Sequence, residues 1–255
     1  MRRVLWRPGY RRPAPPLHRS SASPRRAQLA VAVTLALVAG CVDAVCFDRI
    51  FDVFPANQSG NAVLLGIALG AGELSEAWPP AVAIAGFIAG IVLAVLVGSR
   101  VSQLRRPTAL LGIESVLLAV VAVTLLATEH PGAIDGPEVA VLLVLASVAM
   151  GLQTEVIGRV AGVAVATTYQ TGAIARIADI TGNRAAGTPV AAGAGPPLTI
   201  LVSVLLAYVG GAALGAAVVS GLDARRGAMV VPTVIVVALT VAVAVSAARS
   251  RRTLV

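Results

Sequence analysis

The chain has 255 residues, of which 57% are hydrophobic and only 13% charged, and its mean hydropathy is +0.88. A soluble domain is nearer to about 25% charged, so a water-soluble globular protein is excluded and the chain reads as one integral membrane domain. The net charge of +8 sits largely in residues 1–26, which hold eight Arg and no acid; no aromatic interleaving accompanies them, and nucleic acid is not an expected partner.

Residues 1–26 are rich in Pro, Arg and Ser and are expected to be a disordered arm. Arg beside a first span marks the cytoplasmic side. Ala27 to about Phe47 is the first span, with Asp43 near its far end. A connector with Asp48, Arg49 and Asp52 leads to Phe54-Pro55-Ala56-Asn57-Gln58-Ser59-Gly60-Asn61. Pro55 cannot continue a helix and pushes Phe54 toward extended backbone. Asn57 or Ser59 then caps a helix expected from about Gly60 to Gly70. Its apolar part is only about 11 residues long, roughly half a bilayer at 1.5 Å per residue. A helix N-terminus in so apolar a chain offers free N–H groups and a positive dipole end, which suits an anion or a polar ligand. Glu73 to Pro80 is expected to break the chain. Ala81 to about Ser99 and Thr108 to about Thr128 are full spans, the second carrying Glu114, and they complete a first half over 27–128.

Residues 129–137 form a loop between halves. The second half, 138–248, opens with a span from Glu138 to about Ile157 that carries Gln153 and Glu155. Thr167-Thr168-Tyr169-Gln170-Thr171-Gly172 repeats the shape of the first break, and a short segment with Arg176 follows, to about Ile180. After a Gly-, Ala- and Pro-rich loop over 181–197 come spans from Leu198 to about Ser220 and from Met229 to Ala248, then a basic tail over 249–255. A shift of 112 lays Gln58-Ser59-Gly60 on Gln170-Thr171-Gly172 and Asp43 on Glu155. A shift of 120 lays Arg105-Arg106 on Arg225-Arg226, and Gly86-x-x-x-Gly90 has a counterpart in Gly211-x-x-x-Gly215. Small residues four apart let membrane helices approach closely.

Arg counting orients the chain. With six spans and the N-terminus inside, 17 Arg are cytoplasmic and three are outside; with eight spans the counts are 12 and seven. The positive-inside rule favours six. The expected fold is an all-α polytopic membrane helix bundle of two inverted repeats, each three full spans plus one short interrupted helix, an architecture found in secondary transporters. Eight spans in a parallel repeat is the alternative.

Val42-Asp43-Ala44, then Asn57-x-Ser59-Gly60-Asn61 ahead of an apolar run, resembles the YoaK-like family of bacterial membrane proteins. The family pattern reads Val-Asp-Ala and Asn-Met-Thr-Gly-Asn; Gln58 and Ser59 stand here for Met and Thr. Gly151-Leu152-Gln153 and Thr167-Thr168-Tyr169-x-Thr171-Gly172 also match, but where the family usually has Asn after Gly-Leu-Gln this chain has Thr154 and then Glu155. The resemblance runs from about residue 30 to 250. It implies a multi-span bacterial inner-membrane protein, at most loosely transporter-like.

The candidate substrate or ion site comprises Asp43, Asn57, Ser59, Gly60, Asn61, Gln153, Glu155, Tyr169, Thr171, Gly172 and Arg176. A carboxylate such as Asp43 inside a span costs about 2.5–3.5 kcal/mol on insertion scales, which marks it either as a proton carrier or as a residue capping backbone at a span end. Arg176 is the natural counter-ion for Asp43 or Glu155, or a snorkelling side chain. Tyr169 either hydrogen-bonds a polar substrate or anchors at the interface. Glu114, about six residues into its helix, is either functional or reaches the interface. Gly60 and Gly172 are expected to meet near the bundle centre. Cys41 and Cys46 read as small core residues. No hydrolase, metalloprotease or phosphate-loop motif is present, and no cluster has metal-ligand spacing, so neither an enzyme, a metal nor a cofactor is expected. The expected partners are the lipid bilayer and a small polar or anionic solute, with protons as a candidate coupling ion. The competing reading is a non-transporting scaffold or sensor, whose polar motifs only stabilise irregular backbone inside the bundle.

Overall fold

The computed structural model describes residues 22–48, 52–127, 137–156, 170–188, 197–221 and 227–252. Within them lie eight helices: α1 (Ala22–Cys46), α2 (Gln58–Ala71), α3 (Leu74–Arg100), α4 (Arg106–Ala127), α5 (Pro137–Val156), α6 (Gln170–Ala185), α7 (Leu198–Gly221) and α8 (Val230–Arg252). Six of them, all but α2 and α6, are long and apolar enough to cross a membrane. Most are apolar around their whole circumference, as a helix must be when one side meets protein and the other lipid. Thus Val63, Ile67, Val92, Leu96, Val116 and Val123 lie exposed on the bundle surface.

Several boundaries differ from the sequence expectation. The chain breaks after α2 only at Gly72 and Glu73, where Gly72 takes a left-handed conformation (φ 76°) and its N–H returns to Ala68 and Leu69. Pro79 and Pro80 lie inside α3 rather than before it. They remove two helical donors one and a half turns into the helix, and the carbonyls this strands belong to Ser75 and Glu76, which are exposed. Pro137 opens α5, where its missing N–H costs nothing. The second short segment extends to Ala185, past the expected end at Ile180, and α8 continues through the Arg-rich tail to Arg252. The last residues of the basic arm, from Ala22, are already helical.

The main packing partners are α1 with α7 and α3 with α5, followed by α4 with α5, α2 with α3, α4 with α8, α6 with α7, and α1 with α8. Glycines set the closest crossings. A Cβ on Gly211 would strike the Leu37 carbonyl and one on Gly40 the Tyr208 carbonyl, so α1 and α7 touch backbone to backbone. At the α3–α5 crossing, Gly90 lies on the Val148 carbonyl and Gly151 on that of Phe87. Without water to expel between helices in lipid, such close backbone contact is a main source of adhesion. The central core joins α1, α4, α5 and α8 through Val38, Val42, Leu118, Leu143, Met150 and Val236. Hydroxyls stitch α4 to α8: Ser115 Oγ lies 3.0 Å from Thr240 Oγ1, and Thr233 Oγ1 donates to the Leu118 carbonyl at 3.2 Å.

Candidate functional site

The break between α1 and α2 is a bend whose backbone is satisfied by side chains. Asn61, fully buried, accepts the Phe54 N–H at 2.9 Å and returns its own amide to the Phe54 carbonyl at 2.6 Å. That amide also reaches Gln58 Oε1 at 2.9 Å, and Gln58 Nε2 donates to the Pro55 carbonyl at 2.8 Å. The Ala56 N–H donates to Asp43 Oδ1 at 2.6 Å. Asn57 caps α2, its Oδ1 accepting from the Gly60 N–H at 3.4 Å and from Ser59 Oγ at 2.8 Å. Non-helical backbone at membrane depth is tolerated only when its polar groups are met within the protein. Asp43, Asn57, Gln58 and Asn61 perform that task. Gly60 has a separate reason: a Cβ there would lie 2.8 Å from the Phe54 ring, which stacks on Phe47 with centroids 4.5 Å apart.

Asp43 does more than hold the bend. Its second oxygen, Oδ2, accepts a 2.6 Å hydrogen bond from the Tyr208 hydroxyl on α7. The side chain is only 2% exposed. It therefore ties the bend of the first half to a span of the second through two short hydrogen bonds. Tyr208 was not among the sequence candidates. Its signal was there to read, as a single phenol in the middle of an otherwise apolar span.

The expected pairing of Asp43 with Arg176 is not formed. Arg176 pairs with Asp179, one turn along α6, because a local partner on the same helix is easier to reach than one across the bundle. Gly60 and Gly172 do not bring the short helices together: α2 packs on α3, α6 on α7, and the two are not packed on each other. They also differ in character. α2 exposes Val63, Ile67 and Leu69. α6 is amphipathic, laying Ala173, Ile177 and Ile180 against Leu198 and Leu201 of α7 while Arg176, Asp179 and Asn183 bond along its other face. Thr171 is exposed and Gly172 half-buried. Tyr169 lies outside the described residues.

Gln153 and Glu155 have separate roles at the end of α5. Gln153 is fully buried and donates to the Leu35 carbonyl of α1 at 2.9 Å. Glu155, the sequence counterpart of Asp43, forms a partly exposed ion pair with Arg106 of α4 at 3.3 Å. So the sequence candidates divide into a bend cluster (buried Asp43 and Asn61, half-buried Asn57 and Gly60, with exposed Ser59 at its rim), an α5 terminus (Gln153, Glu155) and an α6 face (Thr171, Gly172, Arg176). Glu114 does not reach the interface. It is fully buried. Among the described residues no three His, Cys, Asp or Glu side chains gather as a metal site requires; Cys41 and Cys46 are buried free thiols.

Six long apolar helices around a carboxylate-held break define a polytopic helical membrane protein. The chain belongs to the family described as "Protein of unknown function (DUF1275)", which matches residues 31–242. It is 31% identical over 153 residues to the UPF0700 transmembrane protein YoaK of Bacillus subtilis (strain 168). That alignment covers 58% of this chain and 65% of the relative's length. No solved structure matches the chain.

Proposed function

We propose that the protein is a secondary transporter or channel for a small polar or anionic solute, built from two inverted repeats in the bacterial cytoplasmic membrane with both termini inside. It is not an enzyme and needs no cofactor in this reading. The observation that carries it is the Asp43 carboxylate, shared between the Phe54–Ala56 bend and Tyr208 of α7. A charge at that depth is costly, and here it links one half to the other, where protonation would alter two hydrogen bonds at once. Protons are accordingly the coupling ion we favour.

Packing supports the repeat. Exchange α1 with α5, α2 with α6, α3 with α7 and α4 with α8, and the α1–α7 crossing becomes the α3–α5 crossing. Likewise α2–α3 becomes α6–α7, and α4–α5 becomes α1–α8. Glycines follow the same exchange: Gly40 on Tyr208 corresponds to Gly151 on Phe87, and Gly211 and Gly90 each meet a carbonyl of the facing helix. Three spans per half makes the second half inverted, as in many transporters. The 17 cytoplasmic Arg in this arrangement support the orientation.

The test is solute-driven proton movement in proteoliposomes carrying the full chain, with a panel of small polar and anionic solutes. At least one solute should move protons, and Asp43→Asn should abolish the movement while leaving the protein folded. A folded protein that moves neither solute nor protons would favour the scaffold reading. One observation speaks for that alternative: in the bend, Asn61 and Gln58 bond to each other and to nearby backbone, and Ser59 bonds to Asn57.

A further inference from the structure

Glu114 is the one acid inside α4, and the bend cluster makes no use of it. Its side chain is fully buried, and neither carboxyl oxygen has a hydrogen-bond partner. Leu110, Leu111 and Leu118, one turn away on either side, are themselves fully buried. Among the described residues it has no ion-pair partner. Arg106 is eight residues back, about 12 Å along the helix at 1.5 Å per residue, and is engaged by Glu155. On α5 the acids are Glu138 and Glu155, one at each end; on α3 the charges are Glu73 at its cap, then Glu76 and Arg100; α8 has no charged side chain before Arg249. Asp43 on α1 is held by Tyr208 and Ala56. A lone carboxylate in such surroundings is too costly to keep as an ion. A neutral acid there still leaves its polar atoms unmet.

We propose that Glu114 is a proton-binding site in the heart of the bundle, loaded while it is buried as here and exchanging with water in a second conformation. The seam between α4 and α8 offers the route. Ser115, the next residue along α4, joins Thr240 and Thr233 in a polar strip along it. α8 is the least buried of the six long helices, so its displacement opens that strip at the lowest packing cost. An acid kept only as filler needs no such strip. A proton carrier needs both states, a dry one that holds the proton and a wet one that releases it.

The inference does not depend on transport by Asp43, and its test needs no substrate. Infrared difference spectra would compare the full chain with Glu114→Gln in an ester-free detergent, in H2O and then D2O. The wild type should show a protonated-carboxyl C=O band that the variant lacks, and that band should shift in D2O, faster as pD rises. Absence of any band removed by the substitution would mean an ionised side chain and overturn the proposal. A band that never shifts would mean a locked acid and overturn it equally. Should Glu114→Gln not fold, the wild type alone decides. A hydrophobic carbodiimide, followed by peptide mapping, should modify Glu114 at a rate that falls as pH rises; an unmodified Glu114 refutes the site.

Discussion

Asn61 shows how one side chain organises a break in a membrane protein. Three of its hydrogen bonds go to Phe54 and Gln58, and two of those satisfy backbone that no helix supports. Asn61→Ala leaves the Phe54 N–H unmet and its carbonyl with only a long 3.4 Å bond from Gln58 Nε2, and an unmet buried group costs about 1–3 kcal/mol. We expect a clearly lower thermal midpoint in detergent for Asn61→Ala. Ser59→Ala, whose exposed hydroxyl bonds only to Asn57, should stay within about 0.5 kcal/mol of the wild type. Equal effects would mean that the bend is not held as described. The polar motif was legible as a helix start because Pro55 and Asn57 have local consequences. Its long-range partner was not: nothing in a sequence of apolar spans tells which phenol faces which acid, and the Asp43–Tyr208 bond joins residues 165 apart.

At the scale of the element, adjacent glycines on α7 separate packing from composition. Gly211 lies on the Leu37 carbonyl, whereas Gly210 has nothing within 4 Å of an added Cβ. Gly211→Ala should force α1 and α7 apart and destabilise by about 1–3 kcal/mol, as overpacking does, while Gly210→Ala should be neutral or slightly stabilising because Ala favours helix. Thermal unfolding of the two variants side by side checks this. A neutral Gly211→Ala would place α7 elsewhere. The Gly-x-x-x-Gly spacing foretold close approach, but in a chain this rich in glycine only tertiary contact separates a packed glycine from a lipid-facing one. The short helices teach the converse. Their flanking motifs match, yet α2 is apolar and α6 amphipathic, and the distribution of Arg176, Asp179 and Asn183 over α6 already carried that difference.

For the whole molecule, the question is which side each loop faces. If the N-terminus is inside, as proposed, six long apolar helices put the α3–α4 connection in the cytoplasm, near Ser102 in the short turn before α4. A cysteine at Ser102, with Cys41 and Cys46 buried, should react with an impermeant thiol reagent only after the cells are opened. Labelling from outside intact cells would require eight crossings or the opposite orientation.

Composition and hydropathy by themselves determined that the chain lives in a membrane and is all-helical, because a bilayer leaves few other ways to satisfy a spanning backbone. Local chemistry determined where the first break falls, since Pro55 and the Asn57 cap act within a few residues. The tertiary structure decided the partners. Asp43 went to Tyr208 and Ala56 rather than Arg176, and Glu155 to Arg106. It also left Glu114 without a partner and kept the two short helices apart. Helices that are apolar on every side carry little rotational information, so which face of each turns inward is settled only by glycine-to-backbone contacts and buried polar bonds between distant residues.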